Sequence, residues 1–452
     1  MVTLCSPVAA ACVRLFTSTY TERKTLYSGA RAASGFQEAQ RGMVEYTVTP
    51  AQRKNYYLLV LSVVSMQVTA STIYMVLPLY FEQYGMSKTQ NGLLISVGTL
   101  AGVFSGLLAG KFSDSYGRKW FLVGGTAVYS VVFFLFALLG KDFNTFLVLR
   151  FFEGVGFYVM PVLVSAMCAD TFPSVERGRM MSLFSVAGGL GQLVGPLLAP
   201  YLIMGSDFDL YFLFSGTFVV VSVVAMAVLV RETLPHELGA KRTQGGKRID
   251  VGGFLGSARS LGRAFAVFLV AILLYRTGYT MMDPFFSIYL REVLALDLSS
   301  TSYLFALRAV CTMAFAPVAG WLTDKWGRKP TFMAGMSLMV LSLVAYTRMR
   351  GPGDIYLVRG LDAVAGVTLM NSIRTLTADL LAPQVRGFGM GLYSTISQES
   401  STLGAIFGGL VIDSMGYNMV FLLAAGTSAL SLFIVRLWVP EPARVRLSTP
   451  KA

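Results

Sequence analysis

The sequence predicts an all-α membrane protein, with twelve transmembrane helices in two pseudo-symmetric six-helix lobes. Three observations carry that expectation. Charged residues make up only 13% of the 452 positions and hydrophobic residues 54%, against about 25% charge in an average soluble domain. The apolar residues gather into runs of the roughly 20 residues that a bilayer crossing needs. The second half of the chain also repeats the first in spaced, chemically distinctive positions.

In order along the chain, residues 1–54 form an N-terminal extension. Its first 42 positions are rich in Ala, Ser and Thr and carry Arg14, Arg23, Arg31 and Arg41. They read either as a transit peptide or as an overlong gene start ahead of a true start at Met43. The first lobe, 55–231, holds candidate spans at 56–81, 90–110, 120–140, 143–169, 180–205 and 210–230. A polar linker follows at 232–262, with Gly239, Gly245 and Gly246, and a short interfacial helix is expected over 251–261. The second lobe, 263–438, holds candidates at 264–290, 300–323, 330–347, 355–378, 387–412 and 417–437, and 439–452 form a tail. Each span must be helical, because backbone groups in lipid need partners within their own segment.

The net charge of +13 does not point to nucleic acid, because the cations sit mainly in short loops. One set of loops holds Lys111, Arg118, Lys119, Arg177, Arg179, Lys325, Arg328, Lys329 and Arg386, and the linker adds Lys241, Arg242, Lys247, Arg248, Arg259 and Arg263. The opposite set holds only Lys88, Lys141, Arg291, Arg348 and Arg350. The richer side is expected to be cytoplasmic. That gives a multi-pass protein of the cell membrane with both termini inside. The single histidine, His236, and the unpaired spacing of Cys5, Cys12, Cys168 and Cys311 offer no metal site, disulfide framework or Ser-His triad. No cofactor and no catalytic group is expected.

The repeat is specific. Gly110-Lys-Phe-Ser-Asp114-Ser-Tyr-Gly117-Arg118-Lys119 returns as Gly320-Trp-Leu-Thr-Asp324-Lys-Trp-Gly327-Arg328-Lys329, 210 positions on (114 to 324). Arg150 and Glu153 return as Arg359 and Asp362, and Asp170, Arg177 and Gly178 as Asp379, Arg386 and Gly387, each 209 on (150 to 359; 170 to 379). Both copies run in the same sense, so the lobes should be related by an axis along the membrane normal.

On these residues the chain resembles the major facilitator superfamily over about 50–440. The loop Gly110-x-x-x-Asp114-x-x-Gly117-Arg118-Lys119 is similar to that family's signature loop, and Arg150-x-x-Glu153-Gly154-x-Gly156 to its fourth-helix motif. Gly191-x-x-x-Gly195-Pro196 resembles the fifth-helix motif of its exporters, departing at Ala199 and Pro200 where paired glycines are usual. The resemblance implies alternating access, with a site between the lobes near mid-membrane. It also implies that Arg118 reaches both Asp114 and Asp170, with Asp324, Arg328 and Asp379 as the second-lobe set. These clusters, with Gly110, Gly117, Gly320 and Gly327 at the turns, are expected to hold the cytoplasmic side shut in the outward-open state and to break on inward opening.

Charge at depth is costly and usually faces a cavity. The deep ionisable residues are Arg150, Glu153, Arg276, Asp283, Arg308, Arg359, Asp362, Arg374 and Glu399. The Arg-x-x-acid pairs read either as cavity groups or as self-neutralising pairs that hold helices together. Asp283 precedes Pro284, where a helix loses a backbone bond. Arg308 and Glu399 lie roughly 12 and 18 Å into a core about 30 Å thick from opposite faces. That puts them at a similar level and makes an ion pair between them an expectation. Tyr74, Tyr275, Tyr279, Met282 and Gln67 are candidate cavity residues. No Gly-x-x-x-x-Gly-Lys-Ser/Thr motif is present, so drive by bound ATP is unsupported. The expected partners are a small-molecule substrate, the lipid bilayer and protons, with the chain acting as a monomer. The expected activity is proton-coupled efflux of a small amphipathic compound. The alternative is import or exchange of an organic anion held by Arg276, Arg308 or Arg374.

Overall fold

The computed structural model describes residues 48–139, 141–203, 207–234, 261–349, 351, 353–382 and 385–441. The two N-terminal readings, most of the linker and all but the last residue of the expected 251–261 helix lie outside these residues. Among the described residues the regular elements are helices, and they form twelve successive spans.

Nine of the spans are long and apolar enough to cross a bilayer as they stand. The first span is a tenth, broken into Pro50–Ser62, Val64–Ser71 and Ile73–Gln83 and bent by 41° before Ile73. The other two, Asp354–Asp379 and Arg386–Met415, have the length but carry polar and charged residues in their middles. The second span, Lys88–Tyr116, has 29 residues. At 1.5 Å each it is about 44 Å long, more than the hydrocarbon core, so it tilts or projects.

Two breaks shape the interior. In the first span the Ser71 hydroxyl donates to the Val68 and Gly191 carbonyls, both at 2.7 Å, and the Thr72 hydroxyl to the Thr69 carbonyl at 2.7 Å. Hydroxyls that bond nearby carbonyls compete with the helical ladder and bend it. In the seventh span Arg263–Thr280 gives way to a 3-10 turn at Asp283–Phe285 before Phe286–Glu292. Pro284 supplies no N–H there.

Packing repeats as the sequence does. In the first lobe span 1 packs on 5, 2 on 4, and 3 on both 4 and 6; in the second, 7 packs on 11, 8 on 10, and 9 on both 10 and 12. The lobes meet chiefly along two seams, span 2 against span 11 and span 5 against span 8, with spans 1 and 7 also touching. The two membrane faces differ. Toward the face that carries Lys88, residues 75–81 and 284–290 are buried on every side. Toward the face that carries Gly117, residues 175–186 are exposed or half-exposed at every position but Met180, and residues 313–326 at all but Ala319 and Thr323. The molecule is shut at the Lys88 face and open at the Gly117 face.

Candidate functional site

Between the lobes lies a cavity of about 210 Å³. The first lobe contributes Tyr74, Ile95 and Tyr158, and the second Arg276, Thr280, Asp283, Pro284, Gln398 and Ser401. Asp283, the first residue of the 3-10 break, lines this space. Tyr74 is 39% exposed despite its depth in the first span, and its exposure is to the cavity.

The deep charges sort into three groups. Arg150 and Glu153 are buried and paired, and Arg150 also donates to the Leu94 carbonyl at 3.2 Å and the Ile95 carbonyl at 3.3 Å. This geometry staples span 4 to span 2, and neither side chain lines the cavity. Arg359 and Asp362 repeat the pair at 3.1 Å, with the guanidinium 4.0 Å from the centre of the Phe286 ring. They line a much smaller cavity of about 20 Å³, shared with Asp283 and Tyr279. Arg308 donates to Asp283 at 3.3 Å and to the Tyr279 hydroxyl at 2.7 Å. The expected Arg308–Glu399 pair is therefore not made in this conformation, because the broken seventh span brings a nearer carboxylate to Arg308. Glu399 is half-buried and, among the described residues, makes no ion pair. Arg276 donates to the Ser401 hydroxyl at 3.4 Å, while its Nε is buried without a partner. Arg374 is exposed.

At the Gly117 face, Arg118 binds Asp114 at 3.0 Å and Asp170 through a pair of contacts, one at 3.2 Å. Arg328 binds Asp379 at 2.8 Å. Asp324 is exposed and, among the described residues, has no partner, so the two copies differ. The turns are made by Gly117 and Gly327, at φ 100° and 108°, a region open to glycine and strained for other residues. The expectation that Gly110 and Gly320 belong to the turns needs correction. Both lie inside helices that continue to Tyr116 and Trp326, whose backbone bonds run unbroken up to the turn.

Sequence reading missed two acids here. Glu232 accepts from the Lys119 N–H at 3.0 Å, and Glu441 from the N–H groups of Arg328 at 3.0 Å and Lys329 at 2.9 Å. Each caps the N-terminus of a span with a carboxylate, where the helix dipole favours negative charge. Partial burial pushes the Glu232 carboxyl up, but backbone donors at Leu234, Lys119, Arg118 and Thr233 outweigh it and hold the group below its ordinary value. The signal was available: the two acids are 209 apart (232 to 441), the offset of the repeat.

The Lys88 face carries a network that sequence reading also missed. Glu82 binds both Lys88 and Arg291. Lys88 binds Glu292 at 2.8 Å, and Tyr417 donates to Glu292 at 2.5 Å. Asp413 of span 11 accepts from the N–H groups of Lys88 at 3.2 Å and Thr89 at 2.8 Å, capping span 2 across the seam. The backbones meet closely there: a Cβ on Gly92 would stand 2.3 Å from the Ala405 carbonyl oxygen, and one on Gly409 2.3 Å from that of Lys88. On the fifth span, a Cβ on Gly195 would stand 2.3 Å from the Val68 carbonyl oxygen and one on Gly191 2.6 Å from that of Gln67. These two glycines set how closely spans 1 and 5 pack.

Comparison with known proteins agrees with this architecture. The family model described as Major Facilitator Superfamily matches residues 59–275 and 268–452. Multidrug resistance protein MdtG of Salmonella dublin is 25% identical, over 77% of this chain and 86% of its own length. Multidrug resistance protein 2 of Bacillus subtilis is 22% identical, over 80% and 90%. Among solved structures, the nucleoside transporter NupG superposes with a TM-score of 0.68 at 14% identity, over 85% of this chain and 98% of that one. The human organic anion transporter MFSD10 (TETRAN) gives 0.62 at 17%, over 86% and 100%. At these identities the structures speak to fold alone. With its duplicated signature loop, its two six-helix lobes and a family match across nearly the whole described chain, this protein belongs to the major facilitator superfamily and is a multi-pass membrane transporter.

Proposed function

We propose that this transporter exports a small amphipathic compound by alternating access, in exchange for protons. The carrying observation is the cavity between the lobes, lined from both, shut toward the Lys88 face and open toward the Gly117 face. A site whose walls belong to two bodies changes access when those bodies rock. By the distribution of Lys and Arg, the Gly117 face is cytoplasmic and both termini lie inside the cell membrane. The opening then faces the cytoplasm, where an export cycle loads its cargo. The relatives named as multidrug resistance proteins support the export direction and the amphipathic cargo. The chain acts as a monomer, since a single copy supplies both walls of the cavity.

Coupling is assigned to Asp283. Its carboxylate lines the cavity and is held by Arg308. Protonating Asp283 would release Arg308, and re-forming the pair would expel the proton. The test is transport by purified protein in liposomes across a panel of labelled amphipathic compounds, with and without an imposed pH gradient. A gradient should accelerate uptake of at least one compound in the wild type. Asp283→Asn should lose that acceleration by tenfold or more while keeping exchange without a gradient. Acceleration that survives in Asp283→Asn would remove Asp283 from the coupling step, and transport indifferent to pH in the wild type would remove protons altogether.

A further inference from the structure

We infer that the cargo of the central cavity carries an anionic group, a carboxylate on an aromatic body, and that Arg276 receives it. The inference rests on the cavity being the transport site, as proposed above, and deepens that reading.

The argument begins with charge at depth. A guanidinium in the membrane interior is strongly unfavourable unless compensated. Three of the deep arginines meet a carboxylate: Arg150 has Glu153, Arg308 has Asp283 at 3.3 Å, and Arg359 has Asp362 at 3.1 Å. Arg276 has none among the described residues; its one hydrogen bond is the 3.4 Å contact with the Ser401 hydroxyl, and its Nε is buried and unpartnered. Arg374 shares the lack of an acid but does not line the cavity. Glu399, the remaining deep acid, makes no ion pair with Arg276 in this conformation. Asp283 shares the cavity wall, but Arg308 already neutralises it. Among the described residues, the cavity therefore presents one positive charge without a carboxylate partner.

The geometry fits a carboxylate in particular. A guanidinium binds carboxylates in a fork through adjacent N–H groups. In Arg276 the two terminal nitrogens offer such a fork: among the described residues their one hydrogen bond is the 3.4 Å contact with the Ser401 hydroxyl, and the side chain lines the cavity. The opposite wall is of another character: Tyr74, Ile95 and Tyr158 from the first lobe offer aromatic and aliphatic surface. A compound with an aryl body and one carboxylate would touch both walls, its ring on the first lobe and its charge on the second. It would thereby bridge the two bodies that must move.

Three matched probes separate the charge states on one ring system: 1-naphthoate, 1-naphthamide and 1-naphthylmethylammonium. Equilibrium binding of each labelled probe is measured on the purified full chain in detergent. The expected result is at least tenfold tighter binding of the naphthoate than of either other probe. Arg276→Gln should abolish that preference, Arg276→Lys should retain part of it, and Arg348→Gln, which removes an exposed cation in a loop, should leave it intact. Size-exclusion profiles of the variants establish that they fold, and Arg276→Lys carries the comparison if Arg276→Gln does not. Equal binding of the three probes, preference for the amine, no binding of the naphthoate, or an undiminished preference in folded Arg276→Gln would each overturn the inference. Liposomes that carry the amine but not the naphthoate would also defeat it and leave the export reading standing. Naphthoate binding without transport of any compound would count against export alone.

Discussion

At the scale of single residues, the carboxylates decide most of what is distinctive. Glu232 and Glu441 hold the N-terminal N–H groups of spans 3 and 9. An exposed carboxylate at a helix N-terminus contributes about 0.5 kcal/mol. Glu232→Gln should therefore lower the thermal midpoint slightly at neutral pH. The folded-state pKa of Glu232 is depressed from an ordinary value of 4.5. Its contribution is fully present above that value and is lost as pH falls through the lower, folded-state value. Wild type and variant should then converge in acid, and a difference that persists or grows below that window would refute the cap. Local windows of sequence do not reveal such acids, because their partners lie 113 and 112–113 positions away. The duplication does reveal them, once the offset of 209 is applied to every acid rather than to the family motifs alone. The deep pairs Arg150–Glu153 and Arg359–Asp362 were legible because both partners share one helical turn. The true neighbour of Arg308 was not, because it depends on where the seventh span breaks.

At the scale of elements, span identity was legible and span shape was not. Twelve apolar runs gave twelve spans, and Pro284 marked the break in the seventh. The bend before Ile73 falls where the hydroxyls of Ser71 and Thr72 bond nearby carbonyls, residues common in unbent helices too, and Pro78 stands inside the segment that follows it. The seam between spans 2 and 11 was equally hidden, since its contacts join residues more than 300 apart. That seam makes a sharp prediction. A side chain at Gly409 would press on the Lys88 backbone, which cannot give way as a flexible side chain can. Gly409→Val should hold the Lys88 face open and cut transport by tenfold or more with near-normal abundance. The check is a cysteine at Tyr74→Cys in a chain whose native cysteines are serine, labelled by an impermeant reagent applied from the Lys88 face. Labelling should rise in the Gly409→Val background, and unchanged labelling would remove the seam from the gate.

At the scale of the whole molecule, the two faces are built differently. The Gly117 face is held by contacts inside each lobe, Arg118 with Asp114 and Asp170, and Arg328 with Asp379. The Lys88 face is held by contacts between lobes, Lys88 with Glu292, Glu82 with Arg291, and Asp413 with span 2. The clusters expected to break on inward opening therefore stand intact while the Gly117 face is open, consistent with their tying each lobe to itself. Asp114 is engaged in this state and Asp324, among the described residues, is not, so Asp114→Asn should slow transport several-fold more than Asp324→Asn, with both variants reaching the membrane at normal levels. Initial rates in liposomes, normalised to protein incorporated, measure this, and equal effects of the two would argue that the lobes' asymmetry has no bearing on the cycle.

The material of the Lys88 seal sets how firmly this conformation is preferred. Arg291 and Glu292 are 47% and 39% exposed at their side chains, and ion pairs so open to water are each worth about 0–1 kcal/mol. Turning a population from 1:99 to 99:1 takes about 5.5 kcal/mol of differential binding. The firmness of the seal therefore rests less on these pairs than on Glu82–Lys88, 14% exposed at each side chain, and on the buried residues 75–81 and 284–290. A ligand that binds one conformer more tightly than the other shifts the balance by that difference in affinity and by no more.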